Sequence, residues 1–156
     1  MRHHVAPMVI RDATAEDWPA IWRFMRDIAE EEARAYWLRG APARSFVAVD
    51  DDGTVVGTAE MGRRLGGPAA HTASAGFMVD PAHSGRGAGR ALCEHVIARA
   101  REDGYRSIVF NAVVESNTRA VGLWRSLGFE IVCTVHEGFR HPEHGYVGLH
   151  VMQRRL

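Results

Sequence analysis

Apolar residues recur along this chain with two periods, near 3.6 and near 2, and the switches between them mark its elements. The run Met8-Val9-Ile10 suits a first strand within residues 5–11. Thr14 reads as an N-cap with Asp17 in the capping-box position. Trp18, Ile21, Trp22, Met25, Ile28 and Ala29 then follow at helical spacing, more as core stripe than as pocket lining. A second helical segment starts at Glu30-Glu31-Glu32 and runs to about Arg39. Residues 45–49 and 54–61 read as two strands around the turn Asp50-Asp51-Asp52-Gly53, and this acidic run is a turn rather than a cation site. A Gly- and Arg-containing loop, 62–70, leads to a strand over 71–79. Ala88, Leu92, Val96 and Ala100 step by four along the next helix, which Gly104 ends. Residues 107–114 have the continuous apolar character of a buried parallel strand. Ser116 caps a helix over 117–127, Gly128 stops it, and strands over 129–135 and 146–152 flank a polar loop, 136–145.

One stretch does not belong to this alternation. Between the strand ending at Val79 and the helix of Leu92 lie Ser84-Gly85-Arg86-Gly87-Ala88-Gly89-Arg90. Alternate glycines clear the backbone of side chains, and a helix start offers unpartnered N–H groups and the positive end of a dipole. That combination predicts a cradle for a phosphate or pyrophosphate at the carboxyl end of a strand, where α/β sheets bind ligands.

Composition narrows the ligand. The chain has 156 residues, formal net charge zero and 46% hydrophobic residues, so one domain over 1–156 is expected, with neither nucleic acid nor a membrane as partner. All of its Lys and Arg positions are arginine, which excludes a Walker A loop and a Schiff-base lysine. The spacing G-x-G-x-G, mid-chain, does not fit a dinucleotide fold, which wants G-x-G-x-x-G and an acidic residue about 20 positions on. Coenzyme A carries a pyrophosphate that needs the same cradle. Cys93 and Cys133 read as two buried thiols in a reducing compartment, and a cytoplasmic location is expected. The N-terminal residues lead into no signal-type apolar region.

The segments Val79-Asp80-Pro81, Gly85 to Leu92, Asn117-Thr118-Arg119-Ala120 and Leu123 to Phe129, in this order and spacing, resemble the GNAT acetyltransferase superfamily. The element order of residues 8–156 agrees with that resemblance. It implies an α/β (α+β) fold: a mixed sheet of about seven strands, flanked by about four helices and splayed where acetyl-CoA binds. It implies that Ser84, Gly85, Arg86, Gly87, Ala88, Gly89 and Arg90 hold the pyrophosphate through main-chain N–H groups. Met78 and Val79 would pair with the pantetheine arm, a main-chain N–H near Val79 would polarise the acetyl carbonyl, and Asn117 and Trp124 would flank the cofactor.

Three positions depart from the family pattern. Ser84 stands where the family has Arg or Gln, Ala73 where some members have a glutamate base, and Trp124 where a tyrosine acid is common. Other residues must then move the proton, and Glu115, Asn111, Glu60, His71, His136 and Tyr146 are the candidates, with Glu115 first as base, Asn111 as a positioning group and Tyr146 as the replacement acid. His141-Pro142-Glu143-His144 reads as loop histidines rather than a metal site, so no metal is expected. The implied function is N-acetyl transfer from acetyl-CoA to a primary amine of a small molecule. The alternatives are a protein N-terminus as acceptor and a CoA-binding module without activity. The resemblance also implies a homodimer through the C-terminal strands.

Overall fold

The structure, a computed structural model, describes residues 8–25 and 29–156. Seven strands and four helices alternate: β1 (Val9–Asp12), α1 (Trp18–Trp22), α2 (Glu30–Trp37), β2 (Arg44–Val49), β3 (Val55–Arg63), β4 (Thr72–Val79), α3 (Ala88–Glu102), β5 (Ser107–Val114), α4 (Thr118–Ser126), β6 (Glu130–His141) and β7 (Gly145–Arg155). The strands form a mixed sheet in the order β1-β2-β3-β4-β5-β7-β6. Two compact units divide the chain, one holding the residues up to Gly62 with Gly76–Val96, the other Arg63–Ala75 with Ile97–Leu156.

In the first unit β1, β2 and β3 pair antiparallel, with Phe46 opposite Ala59 and Val47 opposite Thr58. Phe46, Val47, Ala59 and Met61 are fully buried. Each large apolar side chain so placed contributes roughly 1.5–3 kcal/mol. On α2, Ala33 and Trp37 face inward four residues apart, and the Trp37 indole N–H donates to Thr58 Oγ1 at 2.8 Å. Thr58 in turn donates to the Phe46 carbonyl at 2.8 Å, so this buried polar pair leaves nothing unsatisfied. Asp17 accepts from the Thr14 N–H at 2.8 Å and pairs with Arg11, closing the expected cap over a short 3-10 turn, Ala15–Asp17.

In the second unit β4 pairs parallel with β5 and β7 antiparallel with both β5 and β6. Phe110 and Phe129 stack at 4.1 Å, and Trp124 of α4 meets Phe110 edge-on at 5.1 Å.

The helix expected from Trp18 to Ala29 is shorter. Helix α1 stops at Trp22, and Phe24 and Met25 close tight i→i−3 bonds to Ile21 and Trp22 instead of continuing the i→i−4 ladder. Ile28 and Val5 lie outside the described residues. The polar loop expected over 136–145 is mostly strand: β6 runs on to His141, with an irregular register between Val135 and Phe139, and only Pro142-Glu143-His144 turn. Strand β6 ends the sheet order, and residues 136–140 are exposed, so polar side chains there do not oppose strand formation. Cys93 is buried as expected, whereas Cys133 is exposed. The cap of α4 is Asn117, not Ser116; its side-chain oxygen accepts from the Ala120 N–H at 3.2 Å.

Candidate active site

The glycine turn has the shape its sequence calls for. Gly85 and Gly87 take φ of 81° and 85°, a region that L side chains avoid, and α3 starts at the next residue, Ala88. The Ala91 N–H donates to the Gly87 carbonyl at 3.0 Å, so Gly87 caps the helix and the N–H groups of Ala88, Gly89 and Arg90 fall in its first turn. Among the described residues other than Gly87 and its chain neighbours, none comes within 4 Å of where a Cβ on Gly87 would stand, leaving open space that a ligand could fill. Ser84, Gly85, Arg86 and Gly87 are all exposed. The approach to the turn is stiff. Asp80 accepts from the Ala82 N–H at 3.0 Å and pairs with Arg23 and His83. That backbone bond, with His83 and Arg23, holds the Asp80 carboxyl below the usual range.

Met78 and Val79 close β4 just before this turn. The β4–β5 ladder pairs residues 72–74 with 107–109. Residues 74–80 are half-buried although β4 is the middle strand of the sheet order. On β5 the internal residues Asn111 and Ala112 are exposed. Strands in the middle of a covered sheet are normally buried on both faces.

Glu60 on β3 is 3% exposed and is one of few charged side chains in the core. Its Oε2 accepts from Arg39 at 2.8 Å and its Oε1 from the Tyr36 hydroxyl at 3.5 Å. Burial pushes its carboxyl above the usual range, and Arg39, then Tyr36, oppose that rise. A Cβ on Gly76 of β4 would stand 2.9 Å from Glu60 Oε1, so the carboxylate lies directly over that residue. Tyr36 and Arg39 were invisible as site residues in the sequence, because the contact joins α2 to a strand more than 20 positions away. A signal for Glu60 did exist. A glycine inside a strand often marks the close approach of another group, and Gly76 is one.

Glu115 sits beside the second unit's hairpin. Its N–H donates to the Gly148 carbonyl at 2.9 Å, and its carboxylate covers Gly148 near Thr134. Thr134 Oγ1 and His150 Nδ1 are 2.7 Å apart. Tyr146, two residues before Gly148 on the same strand, is 65% exposed. His71 and His136 are exposed. Trp124 is 8% exposed and packs edge-on with Phe110. Asn117 spends its side-chain oxygen on the helix cap. His141 Nδ1 accepts from the Glu143 and His144 N–H groups at 3.0 and 3.1 Å, which makes it the clasp of the β6–β7 turn. No group of three or more metal-ligating side chains occurs among the described residues.

A groove of about 1030 Å³ opens beside α2, walled by Asp12, Trp18, Glu30, Arg34, Leu38 and Arg39 among others. Arg39 thus faces both this groove and Glu60.

The profile of the acetyltransferase (GNAT) family matches residues 9–129. This chain belongs to the GNAT acetyltransferase family. A GCN5-related N-acetyltransferase from Kribbella flavida superposes with a TM-score of 0.92 at 51% identity, covering 96% of this chain and 98% of that one. Among curated relatives, the mycothiol acetyltransferase of Mycolicibacterium gilvum is 36% identical over 69% of this chain and 35% of its own length. The N-alpha-acetyltransferase RimI of Mycobacterium tuberculosis is 34% identical over 59% of this chain and 56% of its own. The chain spans about a third to just over half the length of the curated relatives it matches. No helix among the described residues of this GNAT member is long and apolar enough to cross a membrane.

Proposed function

We propose that this chain acts as one catalytic domain that transfers the acetyl group of acetyl-CoA to a primary amine of a small molecule. The turn from Ser84 to Arg90 carries the reading: two left-handed glycines deliver a helix N-terminus into open space, the arrangement a pyrophosphate needs. Main-chain groups of Met78 and Val79 beyond the β4–β5 ladder would pair with the pantetheine arm, and an N–H near Val79 would polarise the acetyl carbonyl. Asn117 keeps its side-chain N–H groups for the cofactor while its oxygen caps α4.

Glu60 replaces Glu115 as our first choice of base, since it is buried, raised in proton affinity and turned onto β4. Gly76 and Val79 are three steps apart along the strand, about 10 Å, so Glu60 takes the amine proton through water. Glu115 and Asn111 remain as polar groups near the end of β5, and Tyr146 as a proton donor on β7. A leaving thiolate has a pKa near ~8.5 and needs little help from an acid, which suits a chain whose Trp124 is packed away. No metal is required by this route.

The test is release of CoA thiol from acetyl-CoA in the presence of free amino acids, ethanolamine, benzylamine, polyamines and a short unblocked peptide. Acetylated product from a small amine, above the spontaneous rate, is expected. Product from the peptide alone would move the acceptor to a protein N-terminus, the reading that the RimI relative favours. No product from any amine would leave a CoA-binding module, which the occupation of two acid/base positions by Ala73 and Trp124 favours. A homodimer through the C-terminal strands would cover Val132 and Val135, both exposed on β6. We place the protein in the cytoplasm, where its two free thiols stay reduced.

A further inference from the structure

A buried carboxylate is costly unless it is held, and Glu60 is held from one side by the end of α2. Arg39 reaches Glu60 Oε2 with one terminal nitrogen, and with the other it donates to the Tyr36 carbonyl at 2.9 Å. Its guanidinium lies 4.2 Å over the Tyr36 ring, and the Tyr36 hydroxyl points to Glu60 Oε1. The cation sits just past the C-terminus of α2, where the helix dipole favours it.

We propose that Arg39 is the positioning residue of the acetyl-transfer site: its forked guanidinium, stacked on Tyr36, fixes the Glu60 carboxylate over Gly76. This rests on the reading of Glu60 as base. The fork is what the geometry uses. Two nitrogens serve two acceptors in different directions while the plane stacks on an aromatic ring, and a lysine ammonium can do only the first of these things. Without that cation nothing of comparable strength would oppose the burial that raises the carboxyl's proton affinity. Among the described residues, the titratable and charged groups facing Glu60 are Tyr36 and Arg39 from α2 and the turn after it; β2 places Ser45 opposite, and β4 contributes Gly76.

The experiment is a ¹³C NMR titration of the Glu60 carboxyl in the full chain, assigned by its loss in Glu60→Gln. Arg39→Gln should raise the midpoint by about one to two pH units, the effect of removing a cation at contact distance. Arg39→Lys should restore part of that shift. Tyr36→Phe, which keeps the ring under the guanidinium, should move the midpoint less than Arg39→Gln does. An unmoved midpoint in Arg39→Gln, or in Arg39→Lys if the first variant does not fold, overturns the proposal. The base reading fails separately, if Glu60→Gln keeps full transfer to the amine found in the thiol-release panel.

Discussion

Glu60 Oε1 on β3 lies 2.9 Å from the point where a Cβ would stand on Gly76 of β4. That spacing is shorter than van der Waals contact, so glycine at position 76 is the condition for the carboxylate to rest there. Gly76→Ala must push Glu60 away from Arg39 or bend β4. We expect a loss of about 1–3 kcal/mol in stability, in the range of overpacked cores. Acetyl transfer should fall at least tenfold while acetyl-CoA affinity changes little, a split that calorimetry and thiol-release kinetics would resolve.

Glu60 also sets a sign for stability against pH. Its folded pKa is raised, so the stability tied to its protonated form is full below the ordinary carboxyl value and is lost as pH rises through the folded value. Denaturant melts of Glu60→Gln should therefore show a flatter profile than wild type between the ordinary carboxyl value, about 4.3, and the raised folded value. A profile equally steep in both proteins would mean that other groups set the slope.

Asp17 has the opposite sign. Arg11, then the Thr14 N–H, holds its carboxyl below the usual range, so its stabilisation is complete above the ordinary value and fades as pH falls through the folded one. Arg11 is 45% exposed, which weakens the pair by solvent screening. Asp17→Asn should cost about 1–2 kcal/mol at pH 7 and progressively less as pH falls through the folded value, read by urea melts at a series of pH values.

Trp124 separates core from catalysis. It packs edge-on to Phe110, itself stacked on Phe129. Trp124→Ala should lose about 3–5 kcal/mol. Trp124→Phe should keep most of the stability and most of the transfer rate. A collapse in rate with an intact fold in Trp124→Phe would give the indole a direct part in the chemistry.

The sequence carried the fold far because the elements that matter are local. Periodicity placed all seven strands and four helices in order, and the glycines at 85 and 87 announced their turn through the conformations only they adopt freely. The sequence shows only the first part of strand β6, because an edge strand exposed at 136–140 carries no apolar alternation. The cap at Asn117 is not distinguishable from one at Ser116 by sequence, because both residue types are good N-caps. The cluster at Glu60 was only half legible. A buried glutamate can be guessed from a strand of otherwise apolar neighbours, but its partners Tyr36 and Arg39 arrive through tertiary packing of α2, which leaves no periodic trace.

In the proposed function the turn at Gly85 and Gly87 holds the pyrophosphate of acetyl-CoA. Isothermal titration of acetyl-CoA into wild type and Gly87→Glu tests it most directly, with circular dichroism and a thermal melt to show that the variant folds. Position 87 has φ of 85° and open space around it, so a glutamate there costs only about 1–2 kcal/mol of backbone strain while placing a carboxylate in the cradle. Saturable binding in wild type, absent in the folded variant, is the result predicted. Equal affinity in both proteins would contradict the account and put the ligand elsewhere.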